Sequence, residues 1–251
     1  MQAFRTLVRR ELSGYLLSST GYLVIATVLF LLGMSFWDIL EKLNVEELTD
    51  APITEQFFIT SYYWMILLLT TPIITMRVFA LEKSSGTYET LLTAPVRDLE
   101  VVLAKFSAAL LFYLITWLPL AIHLWVVRRY SNDPSVLNLP SLLTTFLGVG
   151  LVGSVFVSLG CLASALSRSQ AVAAMLSYGF SIGLFLLGMR AVASSSSNSA
   201  ATRFFEYVAM TEHLEAFARG IVDTRPLVFY ASVTIFVLFL THQTVRSQRW
   251  R

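Results

Sequence analysis

Leu81-Glu82-Lys83-Ser84-Ser85-Gly86-Thr87-Tyr88-Glu89-Thr90-Leu91-Leu92-Thr93-Ala94-Pro95-Val96 is a compact polar island between two long apolar runs, and its reading decides the architecture. Gly86 offers a backbone hinge. Thr87 can cap a short helix over residues 88–93, and Pro95 ends it because its ring disfavours helical geometry at Ala94. A second start follows at once: Asp98 can cap the next helix, with Glu100 near the positive end of its dipole. The island therefore reads as a short structured element joined to a long helix on each side, not as a loose linker.

Outward from the island, charge is segregated. Six uncharged stretches run Leu12 to Trp37, Gln56 to Met76, Phe106 to Val127, Pro134 to Ser167, Ser169 to Met189 and Pro226 to Val245, and each holds at least 20 residues. A helix rises about 1.5 Å per residue, so roughly 20 residues cross a hydrocarbon core of about 30 Å. The expected fold is an all-α integral membrane protein, one transmembrane domain over residues 1–251, with spans near 20–37, 57–76, 104–127, 142–166, 170–189 and 227–244. A soluble helical bundle is the competing class. Such helices seldom reach this length, and hydrophobic content of 56% with mean hydropathy +0.68 argues against it. Gly148, Gly150, Gly153 and Gly160 would weaken a soluble helix but let neighbours approach closely in a bilayer. Gly179 and Gly183 have small-xxx-small spacing, for which simple packing is the plain reading.

Lys and Arg concentrate on the cytoplasmic side of membrane proteins. With the N-terminus inside, the cytoplasmic segments hold Arg5, Arg9, Arg10, Arg77, Lys83, Arg97, Lys105, Arg168, Arg246, Arg249 and Arg251, eleven of the 18. Four of the others, Arg190, Arg203, Arg219 and Arg225, sit in one long outer loop where the rule carries little weight. Both termini are thus expected in the cytoplasm. The loop Asp38 to Glu55, with six acidic residues against Lys42 alone, fits the outer face. A cleaved signal peptide suits the N-terminus poorly, because the apolar run is too long and its nearest small-x-small triplet, Gly33-Met34-Ser35, lies inside it. Ahead of that run, Phe4, Leu7, Val8, Leu12, Tyr15 and Leu16 recur at helical spacing, which reads as an N-terminal interfacial helix although Glu11 interrupts the apolar stripe. An ordinary extension of the first span is the alternative. Cys161 is the single cysteine and forms no intramolecular disulfide.

The outer segment Arg190 to Arg225 has two halves. Ser194 to Ser199 is Ser/Asn-rich and reads as flexible. Thr211 can cap a helix over 212–219 that ends at Gly220, with Leu214, Phe217, Ala218 and Ile221 as its apolar stripe.

Chemistry of other classes lacks its residues. No Asp or Glu lies in an expected span, although an intramembrane carboxylate normally marks function. His123 has no His, Cys or carboxylate at ligand spacing and reads as a packing or interfacial residue. His213 and His242 fall in or near aqueous segments. A lone axial candidate does not hold a haem. A stand-alone channel, the other rival to consider beside an intramembrane enzyme, would need a charged ring or filter loop that the spans do not offer. Tyr22, Thr70, Thr71, Ser154, Ser158 and Ser177 could line a path or bond to backbone. There is no G-x-x-x-x-G-K-S/T loop, and the one G-x-G-x-x-G, Gly148 to Gly153, lies inside the uncharged run Pro134 to Ser167 rather than between a strand and a helix, so the chain does not cradle ATP in either familiar way.

Glu82-Lys83-x-x-Gly86-Thr87-x-Glu89-x-Leu91-Leu92-x-x-Pro95-Val96, followed by Lys105-Phe106, resembles the first coupling helix of type-2 ABC transporter permeases. The likeness is nearest the branch associated with gliding motility and copper-enzyme maturation. It extends to Arg10-Glu11-Leu12 with Tyr15, Ser18, Gly21 and Tyr22, and to Phe217-x-Arg219-Gly220-x-x-Asp223-Thr224-Arg225, covering nearly the whole chain. The resemblance implies a non-enzymatic exporter subunit in a bacterial cytoplasmic (inner) membrane. It would pair with a second permease copy, as homodimer or heterodimer, and with two copies of an ATP-binding cassette ATPase subunit that binds ATP and Mg. This chain itself would bind no cofactor, and the lipid bilayer rather than nucleic acid would be its other partner. Leu91 and Leu92 would be apolar contacts to the ATPase, while Glu82, Lys83 and Glu89 would set docking register, with Gly86, Thr87 and Pro95 shaping the helix. In such permeases the segment before the last span forms short extracytoplasmic re-entrant helices, which makes Leu214, Phe217, Arg219 and Gly220 the expected outer gate. An amphipathic helix folded onto neighbouring outer loops is the plainer alternative.

Overall fold

The computed structural model describes residues 2–44, 53–87, 97–130, 139–193 and 207–249, and all regular structure among them is helical. The chain opens with α1 (Gln2–Leu16) and α2 (Ser19–Asn44). Between them Ser18 Oγ accepts the Gly21 N–H at 3.0 Å, an N-cap for α2. Gly21 is required by the sharpness of this elbow, since a Cβ there would lie 1.9 Å from the Tyr15 carbonyl oxygen. Then follow α3 (Ile53–Ile59), α4 (Ser61–Thr75), α5 (Ala80–Ser84), α6 (Asp98–Thr116) and α7 (Leu118–Tyr130). The long α8 (Leu139–Leu166) and α9 (Gln170–Ala193) precede the short α10 (Met210–Ala218) and the final α11 (Thr224–Arg249).

Six helical stretches are long and apolar enough to cross a membrane: Ser19–Glu41, Ser61–Ser84, Asp98–Arg129, Leu139–Leu166, Gln170–Met189 and Thr224–Gln248. Six crossings return the chain to its starting side. One end of the bundle, called here the terminal end, therefore gathers α1, α5, the start of α6, the α8–α9 turn and the end of α11. The opposite end gathers α3, α7 and α10.

Three boundaries differ from the sequence reading. The second crossing begins at Ser61, because α3 is a separate helix ahead of it. Phe57 and Phe58 of α3 are buried edge-on against Tyr63 of α4, with ring centroids 6.3 and 4.9 Å apart, and this aromatic layer holds α3 as an element of its own. At α6 the cap position is Arg97, with no side-chain cap bond, and Asp98 is the first helical residue. There its carboxylate meets the dipole from inside the first turn rather than capping it. The third crossing bends at Trp117, where Pro119 removes a backbone donor.

Helix α8 is the axis of the bundle and packs against α4, α6, α9, α10 and α11. Its glycines explain how. A Cβ on Gly153 would fall 2.1 Å from the Tyr113 ring of α6, one on Gly160 2.0 Å from Thr75 Oγ1 of α4, and one on Gly148 3.0 Å from Phe217 of α10. Small residues here let three helices reach the same axis. Gly150 makes only ordinary contact with Leu114, and Gly179 and Gly183 of α9 face open space. Accordingly, Gly153→Ala and Gly160→Ala are expected to cost about 1–3 kcal/mol by overpacking. Scanning fluorimetry of the detergent-solubilised chain should show a lower melting temperature for both, and none for Gly179→Ala or Gly183→Ala.

Candidate functional site

The stem of the polar island is a broken helix. After Thr75, α4 stops and the chain resumes as α5 at Ala80. Within the break the Met76 and Val78 N–H groups bond to Pro72 O (2.8 Å) and Thr75 O (3.1 Å), so neighbouring carbonyls lose their helical partners. A break of this kind must be satisfied from within the protein. Tyr15 of α1 donates to Ile74 O at 3.1 Å. Ser164 of α8 donates to Met76 O at 3.2 Å and accepts the Phe79 and Ala80 N–H groups at 3.0 and 3.1 Å. Lys105 of α6 donates to Val78 O at 2.8 Å.

Lys105 is only 3% exposed, and its other contacts neutralise it. Nζ lies 3.1 Å from Glu11 Oε1 of α1 and 2.9 Å from Glu82 Oε1 of α5, so all three ammonium donors are used. Arg10 adds contacts to the same two carboxylates at 2.8 and 3.4 Å. Burial alone would raise the Glu11 pKa, but the charges of Lys105 and Arg10 outweigh it and hold the carboxyl below its usual range. Beside this cluster lies a cleft of about 220 Å³ lined by Arg10, Glu11, Gly14, Tyr15, Arg77, Leu81, Glu82 and Lys105. On its far wall Arg77 bonds to Ser18 and Thr20 and sits 5.9 Å over the Tyr15 ring.

Lys83 turns toward another neighbour. Its Nζ donates to Ala165 O at the end of α8, a carbonyl that also accepts Gln248 Nε2 of α11 at 3.1 Å. A cation at a helix C-terminus is favourably placed. Glu82 and Lys83, expected to face a docking partner, thus both point into the bundle. Gly86 adopts φ +74°, the left-handed conformation that suits glycine. Thr87 is exposed, with its hydroxyl 2.8 Å from Ser85 Oγ. Glu89, Leu91, Leu92 and Pro95, with the helix expected over 88–93, lie outside the described residues.

At the opposite end α10 begins at Met210, with Ala209 in the cap position, so Thr211 lies inside the first turn instead of capping it. Met210 is buried, and that packing overrides the cap preference. Leu214 and Phe217 are fully buried, whereas Ile221 is exposed: the chain turns at Gly220, φ +85°, and carries Ile221 off the apolar stripe. The last two carbonyls of α10 take donors from two other helices. Thr144 of α8 donates to Phe217 O at 2.5 Å and Thr54 of α3 to Ala218 O at 2.8 Å. Arg219 forks onto Glu55, with Nε 2.8 Å from Oε2 and Nη2 on Oε1, the planar match that Arg makes best. Glu55 is almost wholly buried. In the sequence it reads as the edge of an acidic outer loop; its one local signal is its place in the first turn of a helix. His213 Nδ1 is 3.1 Å from the Tyr230 hydroxyl. Burial pushes its pKa down, partly opposed by Asp223.

Several of the candidate path hydroxyls within the crossings are hydrogen-bonded inside the protein. Thr70 and Thr71 donate to Ile66 O and Leu67 O at 2.7 and 2.8 Å, Ser158 donates to Val155 O at 2.7 Å, and Ser154 lies 3.0 Å from Thr234. His123 stacks on Phe36 at 4.8 Å.

A family profile described as ABC-2 family transporter protein matches residues 15–245. The comparison with curated proteins gave no match.

Two outcomes follow from the outer cluster. Thr54→Val keeps the shape of Thr54 but strands the Ala218 carbonyl, an expected loss of about 1–3 kcal/mol readable as a lower melting temperature. His213, whose folded pKa lies below its ordinary 6.5, contributes stability that is full above that value and lost as pH falls through the lowered one. Melting temperature should therefore drop on acidification below about pH 6.5, with His213→Gln, which can still bond to Tyr230, flattening the drop.

Proposed function

The chain belongs to the ABC-2 family of transporter proteins, and from that premise we propose that it is the permease subunit of an ATP-driven exporter whose engine docks on residues 85–96. Membership makes it a multi-pass membrane transport subunit, in a family whose permeases generally pair with an ATPase. The supporting observation is the joint at residues 74–84. The island's stem is tied to α1 and α6 through Glu82, and through Lys83 to the last turn of α8, where Gln248 of α11 shares the same carbonyl. A load applied to residues 85–96 would therefore reach four helices through polar contacts, not through a free loop.

In this account the terminal end faces the cytoplasm of a bacterial cell and the membrane is its inner membrane, consistent with the distribution of Lys and Arg. ATP and Mg are held by two ATPase subunits, and a second permease completes the path. Leu91, Leu92 and Glu89 meet the ATPase, while Glu82 and Lys83 fasten the docking segment to the bundle. Gly86 and Pro95 bound that segment. At the outer end α10 acts as the gate. Leu214 and Phe217 seat it against α8, and Arg219 and Gly220 fix its end. Export, and placement near the gliding-motility and copper-enzyme-maturation branch, follow the motif Glu82-Lys83-x-x-Gly86-Thr87.

The test is affinity purification of the detergent-solubilised chain expressed with its native operon, beside a variant lacking residues 85–94. An ATP-binding subunit should accompany the intact chain and be lost from the membrane-inserted deletion. An intact chain that purifies with no ATP-binding protein contradicts the proposal.

A further inference from the structure

Lys105 does more than seal a helix break, because it sits on one stem of the island and its partners lie on the other stem and on the N-terminal helix. Glu82 is on α5, the stem that enters residues 85–97, and Lys105 is on α6, the stem that leaves them. The 2.9 Å contact between the two clamps the base of that segment. Glu11 brings α1 onto the clamp at 3.1 Å. Helix α1 lies along α6 and is set off from α2 by the elbow at Leu17 and Ser18. Between α1 and α5 there is a polar cleft of about 220 Å³ in place of close packing, so charge holds these two elements together.

The shared carboxylate geometry makes the tie cooperative. Glu11 Oε1 and Glu82 Oε1 each contact both Lys105 and Arg10. Arg10 is 57% exposed, and exposed pairs add little. The buried Lys105 carries the connection, since a buried ion that loses a partner is costly. Glu82 has its second oxygen, Oε2, buried without a hydrogen-bond partner, so its hold on this place in the fold depends on Oε1 and therefore on Lys105.

We infer that Lys105 is a positioning residue that makes α1, α5 and the base of α6 one rigid body, so that α1 moves with the ATPase-docking segment during each nucleotide cycle, turning about the Leu17–Ser18 elbow. The inference rests on the proposed function and adds a moving part to it: the N-terminal helix is part of the lever, not a passive float on the membrane surface.

Spin labels at the exposed positions Ser13 on α1, Ser84 on α5 and Ser232 near the far end of α11 read this directly. Cys161 is buried and stays in place. Pulsed electron spin resonance is recorded on the purified complex with its ATPase subunit, with and without ATP plus vanadate. In the otherwise native chain the 13–232 and 84–232 distances are expected to shift together while the 13–84 distance keeps its mean. In Lys105→Met the 84–232 shift persists, but the 13–84 distribution broadens and moves. Lys105→Arg restores the native pattern.

Should Lys105→Met fail to insert, Glu11→Leu serves instead. It completes the apolar stripe of α1, leaves Lys105 with Glu82 and Val78, and removes the contact between α1 and Lys105, and it should loosen α1 against α5 in the same way. A native 13–232 distance that stays fixed while 84–232 shifts overturns the inference and leaves the proposed function standing, as does co-movement that survives both Lys105→Met and Glu11→Leu. Failure of the native chain to purify with any ATP-binding subunit overturns both.

Discussion

A helix that breaks inside an apolar bundle leaves backbone groups without their helical partners, and the interruption between Thr75 and Ala80 imposes that constraint on the rest of this structure. Its freed groups are met by a tyrosine from α1, a serine from α8 and a lysine from α6. Each donor must arrive with its own helix in place, so three separate elements are fixed around one defect. The lysine brings a charge, and a buried charge must be paired. That requirement draws in Glu11 and Glu82 and defines the polar joint at the terminal end. The break that permits a polar stem to leave the bundle also ties that stem to it.

The same solution recurs elsewhere in the bundle. Helix α8 ends in a carbonyl shared by Lys83 and Gln248, from α5 and α11. Helix α10 ends in carbonyls taken by Thr144 and Thr54, from α8 and α3. Helix termini, which carry unmet acceptors, thus serve as the points where distant elements meet. Between the two ends the long α8 holds the register through glycines that admit Thr75, Tyr113 and Phe217. One helix axis connects the island's stem to the cap that rests on the opposite end.

Much of this fold is readable in the amino-acid order, since charge segregation is a local property and membrane spans are local objects. The six apolar helices, the close approach at Gly148, Gly153 and Gly160, and the turn at Gly220 follow from composition and spacing alone. What escaped depends on partners far away in sequence. Glu55 reads as the edge of an acidic outer loop until Arg219, 164 residues on, folds onto it. Lys105 reads as one more inner-side cation until Glu11 and Glu82, 94 and 23 residues away, enclose it. The cap at Thr211 failed for a smaller reason: cap preference is worth about 1 kcal/mol, and the burial of Met210 outweighs it; Asp98 falls one position inside its helix.

The central claim is that residues 85–96 receive an ATP-binding subunit. Site-specific photocrosslinking in cells tests it most directly, with benzoylphenylalanine placed at Leu91 or Leu92 and, as a control at the far end of the bundle, at the exposed Ile221. The account predicts a light-dependent adduct with an ATP-binding subunit from Leu91 and Leu92 and none from Ile221. A properly inserted chain that gives no such adduct from either leucine would contradict it.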